Sequence, residues 1–233
     1  MPTPTDERYV PAAGRAWLTT LYDPLMALTM REGAFRPALI AAVLADPPPG
    51  VVLDLGCGTG TFTVQLAEAD PSVQVLGVDG DEAVLALAGQ KASRFGERVR
   101  FSKGLADSLP IEDASVDVVI ASLLLHHLSP AAKLEALREA RRVLRPKGRL
   151  VIADWGQPQD PLTLAGFFAL RLLDGFQNTA DHAAGRLPSV LAQAGFSNVT
   201  VGQQWRTLWG SLELITARRK EKHEAQSSAS HGR

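Results

Sequence analysis

Val51-Val52-Leu53-Asp54-Leu55-Gly56-Cys57-Gly58-Thr59-Gly60 decides the fold of this chain. The first five residues, four of them apolar, predict a short buried strand. Glycine then takes every second position, and Thr61 to Ala69 is rich in helix formers. Strand, glycine loop and helix form the front of a βαβ unit. Glycines permit φ > 0 and remove the Cβ that would keep a ligand off the backbone. The first N–H groups of the next helix have no partner inside it and point at the loop.

Two acids narrow the ligand. Asp54 stands two residues before Gly56. A pyrophosphate beside it would meet a like charge, a repulsion of about 4 kcal/mol at roughly 4 Å and an effective dielectric of ~20. An ammonium group would be attracted instead. Val75-Leu76-Gly77-Val78-Asp79 is a second apolar strand ending in an acid. It comes roughly 20 residues after the loop, where a carboxylate can hold ribose hydroxyls. A ligand with an ammonium at one end and a ribose in the middle fits S-adenosylmethionine better than NAD.

These motifs carry a family resemblance. Asp54-Leu55-Gly56-Cys57-Gly58-Thr59-Gly60 followed by Gly77-Val78-Asp79 resembles the class I S-adenosylmethionine-dependent methyltransferases. Leu109-Pro110-Ile111, Ser115 and Asp117-Val118-Val119, with Leu125-His126-His127-Leu128, extend it. Tyr22-Asp23, Gly185-Arg186-Leu187 and Ala194-Gly195-Phe196 are similar to the small-molecule enzymes of ubiquinone and menaquinone biosynthesis. The resemblance implies an α/β, Rossmann-like, doubly wound, mixed sheet of seven strands with the last antiparallel, and N-terminal helices capping the cofactor site. It implies that Gly56 and Gly58 let the methionine moiety lie on the loop and that Asp54 supports its ammonium. Asp79 would accept from the ribose hydroxyls, and Ala106 would offer its backbone to the adenine edge. Cys57, Gly80, Leu105 and Ser122 fall in the same cofactor site. One position departs from the family. An acid there usually accepts from the adenine amine, and this chain has Leu105, with Asp107 two residues on.

Composition sets outer limits. Basic and acidic residues balance, 24 against 25, so no general positive field invites nucleic acid. Cys57 is the one cysteine, which rules out an internal disulfide and a cysteine-built metal site. No metal is expected. Residues 1–7 lack an apolar run after a basic start, and no run of about 20 apolar residues could span a bilayer. The expectation is a cytoplasmic protein; the oligomeric state stays open.

The expected organisation is a loose arm over 1–13, one domain over 14–217 and a disordered tail over 218–233. Within the domain, 14–46 holds cap helices, Trp17 to Met30 and Arg36 to Ala45 with Pro37 in its first turn. Strands are expected at Val73–Val78, Val99–Ser102, Val116–Ala121 and Arg149–Asp154, with alternating helices that imply a parallel sheet. Ser129-Pro130 opens a helix whose charged residues Lys133, Glu135, Arg138, Glu139 and Arg142 read as a solvated face. Segment 155–195 is expected as a helical acceptor-site insertion, with Leu162 to Phe176 unusually apolar, and Val199–Thr207 with Leu212–Ala217 reads as a hairpin.

Methyl transfer from a sulfonium is an in-line displacement, so the protein mainly orients the acceptor and excludes water. His126 and His127, at the carboxyl edge of the sheet, are the candidate catalytic residues ahead of His182. Each also fits a structural role. Trp17, Tyr22, Trp155, Phe167 and Phe168 are candidates to line an acceptor pocket or to belong to the core. The chain lacks the sequence patterns of DNA-methylating enzymes and the thiols of arsenic methylation. The implied partner is a small, partly apolar acceptor. A cofactor-binding protein without catalysis and a nicotinamide-dependent oxidoreductase are the alternatives.

Overall fold

The computed structural model describes residues 31–45 and 47–220. The expected arm, the helix Trp17 to Met30, the acceptor residues Trp17 and Tyr22, and the chain after 220 lie outside the described residues.

Seven strands form one sheet. They are β1 (Val51–Leu55), β2 (Gln74–Asp79), β3 (Val99–Lys103), β4 (Val116–Ser122), β5 (Leu144–Trp155), β6 (Phe196–Thr207) and β7 (Gly210–Arg219). Their order is β3-β2-β1-β4-β5-β7-β6. Pairings from β3 across to β5 are parallel, and β7 runs antiparallel to both β5 and β6. The Rossmann-like mixed sheet is therefore as expected, last strand included. Strand order reverses between β1 and β4, which opens the ligand crevice at their carboxyl ends.

Helices cover both faces: α1 (Glu32–Val43), α2 (Thr61–Ala69), α3 (Glu82–Ala92), α4 (Pro130–Val143), α5 (Pro161–Asp174), α6 (Ala180–Ala183) and α7 (Leu187–Gln193). One core packs α1, α2 and α5 on the sheet through Phe35, Leu39, Leu66 and Phe167. The other packs α4 and α7 through Leu137, Ala140, Leu187 and Leu191. Each such leucine or phenylalanine side chain contributes about 1.5–3 kcal/mol by leaving water. Among the described residues, no helix is long and apolar enough to cross a membrane.

Local rules explain most element ends. Ser129 Oγ accepts from Ala132 N–H at 3.3 Å, with Pro130 in the first turn. Asp160 caps α5 through the N–H groups of Leu162 and Thr163, both at 3.0 Å. Gly195 has φ 90° just past α7, as a C′ residue should.

Three expectations need correction. Pro37 lies inside α1, not in its first turn, because the helix begins at Glu32. The hydrogen bond it forfeits would end on the Gly33 carbonyl, and Gly33 is exposed, so water can replace it. β5 starts at Leu144, five residues early, because α4 ends at Val143 and the chain pairs at once with Val116. The charges of α4 are also not one solvated face. Lys133 is fully buried and donates to Asn178 O at 3.0 Å. Arg142 donates to Ile111 O at 2.8 Å and Leu109 O at 3.1 Å, while Glu139 accepts from Leu109 N–H at 2.9 Å. Glu135 and Arg138 pair in water.

Arg149 joins α1 to the sheet. Its guanidinium, nearly buried, donates to the carbonyls of Val43 at 2.5 Å, Ala45 at 2.7 Å and Pro47 at 3.1 Å, closing the end of α1. Arg149→Met leaves the buried Val43 carbonyl without that donor, while the carbonyls of the exposed Ala45 and Pro47 can turn to water. The expected loss is roughly 1–3 kcal/mol, seen as a lower urea midpoint at constant slope. An unshifted midpoint would show that Arg149 is not what closes α1.

Candidate functional site

The glycine loop folds onto the end of β2. Gly56 N–H and Cys57 N–H both donate to Val78 O, at 2.8 and 3.1 Å. The glycines then divide their work. Gly56 and Gly60 both have φ 71°. A Cβ on Gly56 would lie 2.7 Å from the Leu124 side chain, and one on Gly60 would lie 2.8 Å from Ala88 Cβ. These two serve close packing. Gly58, at φ 52°, has nothing within 4 Å of a Cβ position, so it alone of the three faces open space.

Two carboxylates stand beside that opening. Asp79 Oδ2 accepts from Gly58 N–H at 2.9 Å and Oδ1 from Asp81 N–H at 3.0 Å. Each oxygen keeps a lone pair for a further donor. Gly80 is the bend that follows. Asp54 is 2 % exposed and accepts from Thr63 Oγ1 at 2.5 Å. Burial, with the charge of Asp79 adding to it, pushes its carboxyl up to about 6 against the Thr63 bond. Among the described residues no cation pairs directly with Asp54. Cys57 is buried, and burial with the two acids keeps its thiol protonated, so it is packing and not a nucleophile.

Leu105 to Ser108 is a tight turn, closed by Ser108 N–H on Leu105 O at 3.0 Å. Ala106 and Asp107 occupy its corner, and no described side chain or backbone group hydrogen-bonds the Asp107 carboxylate. The Glu139 and Arg142 contacts to Leu109 fix the chain just beyond it.

The other half of the edge is the loop after β4. Ser122, the last residue of that strand, pairs with Ala153. Leu123 follows at φ 54°, a strained conformation for a large side chain and one that collects at functional sites. The turn Leu125–His127 comes next. His126 is 4 % exposed, and its Nδ1 lies 2.7 Å from Asp154 Oδ1. Asp154 is fully buried at the end of β5 and also accepts from Leu125 N–H and Trp155 N–H, both at 2.7 Å. Burial pushes Asp154 up, but the His126 and His182 rings and these hydrogen bonds hold it well below the carboxylate range. His127 stacks on His126 with ring centres 4.0 Å apart. Burial and the neighbouring His126 draw its imidazole below the usual range. Asp174, at the end of α5, faces both rings, 3.8 Å from His126 Nε2 and 3.5 Å from His127 Nδ1.

Some expected site residues lie elsewhere. His182 is buried and donates through Nδ1 to Trp155 O at 2.7 Å, so it supports the strand end. Trp155 and Phe167 are core residues, 0 % and 1 % exposed, with ring centres 6.4 Å apart. Phe168 is 52 % exposed and meets Phe176 edge to face. An open groove of about 570 Å³ between α1 and α2 includes none of the expected residues. Asp154 and Asp174 were missed. Asp154 had a usable signal, since it closes the apolar run Leu150–Ala153 as Asp79 closes β2. Asp174 had none.

Comparison with known proteins agrees with this geometry. A model of the methyltransferase domain family matches residues 52–148. An uncharacterized methyltransferase of Synechocystis is 33 % identical over 208 residues, covering 87 % of this chain and 91 % of its own. A demethylmenaquinone methyltransferase of Deinococcus radiodurans is 37 % identical over 147 residues, 63 % of this chain and 59 % of its own. Several curated relatives are longer; a protein of a Streptomyces fradiae transposon and a Bacillus subtilis methyltransferase are spanned over 40 % and 56 % of their lengths. A solved putative O-methyltransferase of Nostoc punctiforme superposes with a TM-score of 0.67 at 25 % identity, over 87 % of this chain and 59 % of its own. The chain belongs to the S-adenosylmethionine-dependent methyltransferase family and has the class I architecture.

Proposed function

We propose that this protein transfers a methyl group from S-adenosylmethionine to a small, partly apolar acceptor. The observation that carries the reading is the grouping of Gly58, Asp79 and Asp54 at the carboxyl ends of β1 and β2. These residues fit the cofactor. Gly58 leaves room on the loop, Asp79 has lone pairs left for ribose hydroxyls, and Asp54 is a buried carboxylate that no cation among the described residues pairs with directly. The Ala106 N–H, unused by its turn, would meet the adenine edge. When bound, S-adenosylmethionine supplies a methyl group on a sulfonium.

The acceptor belongs on the side of the loop after β4. Leu124 packs against Gly56, so the loop carrying His126 and His127 abuts the cofactor loop. The two histidines would bind or deprotonate the acceptor, with Asp154 fixing His126. Phe168 and Phe176 offer apolar surface close to Asp174 in sequence. The relatives named demethylmenaquinone methyltransferase support an acceptor of this kind. Turnover on a panel of small hydroxylated and quinone-like molecules tests the proposal. S-adenosylmethionine binding without turnover on any of them would favour a binding protein that has lost catalysis.

Asp79→Ala should weaken S-adenosylmethionine and S-adenosylhomocysteine alike, by tenfold or more, from about 1.5–3 kcal/mol of lost charge-assisted bonding. Calorimetry showing unchanged affinity in the folded variant removes Asp79 from the site.

Asp54 predicts two opposite responses to pH. Its carboxyl is raised in the folded protein, so ligand-free stability should fall as pH climbs from about 4 to about 6. Asp54→Asn removes that penalty, roughly 2–3 kcal/mol, and should raise the melting temperature at pH 7 but not at pH 4. The same change should weaken S-adenosylmethionine. In the parent, affinity should drop about tenfold between pH 7 and pH 5 as the carboxylate takes a proton. Tight NAD binding by the variant would instead favour the nicotinamide reading.

Leu105 cannot accept from an adenine amine, and a buried amine without an acceptor is costly. Leu105→Asp should therefore tighten S-adenosylmethionine about tenfold. If Asp107 already accepts from the amine, Asp107→Ala should weaken binding strongly and Leu105→Asp should help little.

A further inference from the structure

Three metal-ligating side chains meet where the loop after β4 faces the end of α5. His126 Nε2 is 3.8 Å from Asp174 Oδ2, and His127 Nδ1 is 3.5 Å from Asp174 Oδ1. Ligand atoms of all three lie within 4.8 Å of one another. A tetrahedral ion with bonds of about 2.0–2.1 Å needs its ligands roughly 3.3 Å apart. The gaps involving Asp174 exceed that by only a few tenths of an ångström.

The hydrogen bonding around His126 supplies a second, independent argument. Asp154 is fully buried, takes the N–H groups of Leu125 and Trp155, and lies 2.7 Å from His126 Nδ1. That contact turns the ring so that Nε2 points the other way, toward Asp174 Oδ2 at 3.8 Å. His127 Nδ1 faces the other oxygen of the same carboxylate at 3.5 Å. A single cation between them would be met by both rings and by the carboxylate. A carboxylate holding one ring nitrogen while the other binds a metal is the usual outer support of metal-bound histidine.

The site is also held in place. Asn178 Nδ2 donates to His127 O at 3.0 Å and to Asp174 O at 3.2 Å, tying the loop to the helix end. Asp154 fixes Leu125 and His126 together.

We propose that His126, His127 and Asp174 bind one divalent transition-metal ion, with Asp154 as the residue that positions His126. Two imidazoles and one carboxylate favour zinc, cobalt or iron over magnesium or calcium. Three protein ligands leave positions open for an oxygen of the acceptor, whose proton the metal would help to release. Only that last role rests on the methyl-transfer reading.

The test uses the full chain, stripped with a chelator, dialysed and titrated with Co²⁺ while its visible absorption is followed. One Co²⁺ per chain is expected, displaced by Zn²⁺ and unaffected by excess Mg²⁺. His127→Gln and Asp174→Asn, both at partly exposed positions, should each weaken Co²⁺ about 100-fold. Asp154→Asn should weaken it about 10- to 100-fold. His223→Gln with His231→Gln should leave it unchanged, which excludes binding by histidines near the C-terminus. Melting curves confirm that each variant is folded; if Asp154→Asn is not, the other two variants decide. Absence of Co²⁺ absorption up to millimolar metal overturns the proposal, as does binding that survives the His127→Gln/Asp174→Asn double variant. Calorimetry with S-adenosylmethionine on the same samples keeps the readings apart. Cofactor binding without Co²⁺ binding sinks the metal site alone, and Co²⁺ binding without cofactor binding sinks the methyltransferase reading alone.

Discussion

A carboxylate with no access to water must find its donors inside the protein, and Asp154 organises the carboxyl edge of the sheet by that requirement. It sits at the end of β5 and takes the N–H groups of Leu125 and Trp155 and the ring of His126. Removing any one of them would leave a buried charge short of a partner, a loss of several kcal/mol. The loop after β4 therefore has one position available to it. The strained backbone of Leu123 is part of how the chain reaches it.

That fixed loop in turn packs on the glycine loop. Leu124 fills the space beside Gly56 that a Cβ would need, and Ala88 does the same beside Gly60. The loop between them is thereby pressed onto Val78 O and leaves Gly58 as its open point. The glycine loop and the loop after β4 are thus one packed unit. Asp54 and Asp79 stand beside the first, and His126, His127 and Asp174 beside the second.

Distant parts of the chain hold this edge from below. Arg149 ties the end of α1 to β5, and Asp117 accepts from the N–H groups of Gly50 and Val51, both at 2.9 Å, to fix where β1 begins. Glu139 and Arg142 hold the segment after Leu105. Charges that look like solvated surface in a helical repeat are here the ties between a helix and the loops beside the site. A helix pattern shows which residues share a face but not what lies across from that face.

The sequence by itself determined the sheet, the glycine loop and the two acids that follow from it. Those signals are local: apolar runs of strand length, glycines at fixed offsets, and acids at strand ends. Caps at Ser129 and Gly195 were legible for the same reason, since a cap depends on its immediate neighbours. Tertiary structure alone decided what depends on residues far apart in the chain. It turned Gly56 to packing and Gly58 to the opening, buried Trp155 and Phe167 in the core, and brought Asp154 and Asp174 to the histidine pair. Asp174 lies 47 positions after His127 and ends a helix whose pattern says nothing of its neighbours. Only the packing of α5 on β7, with Phe167 against Trp155, places that carboxylate against the two rings, and packing is a property of the whole fold, not of any one stretch.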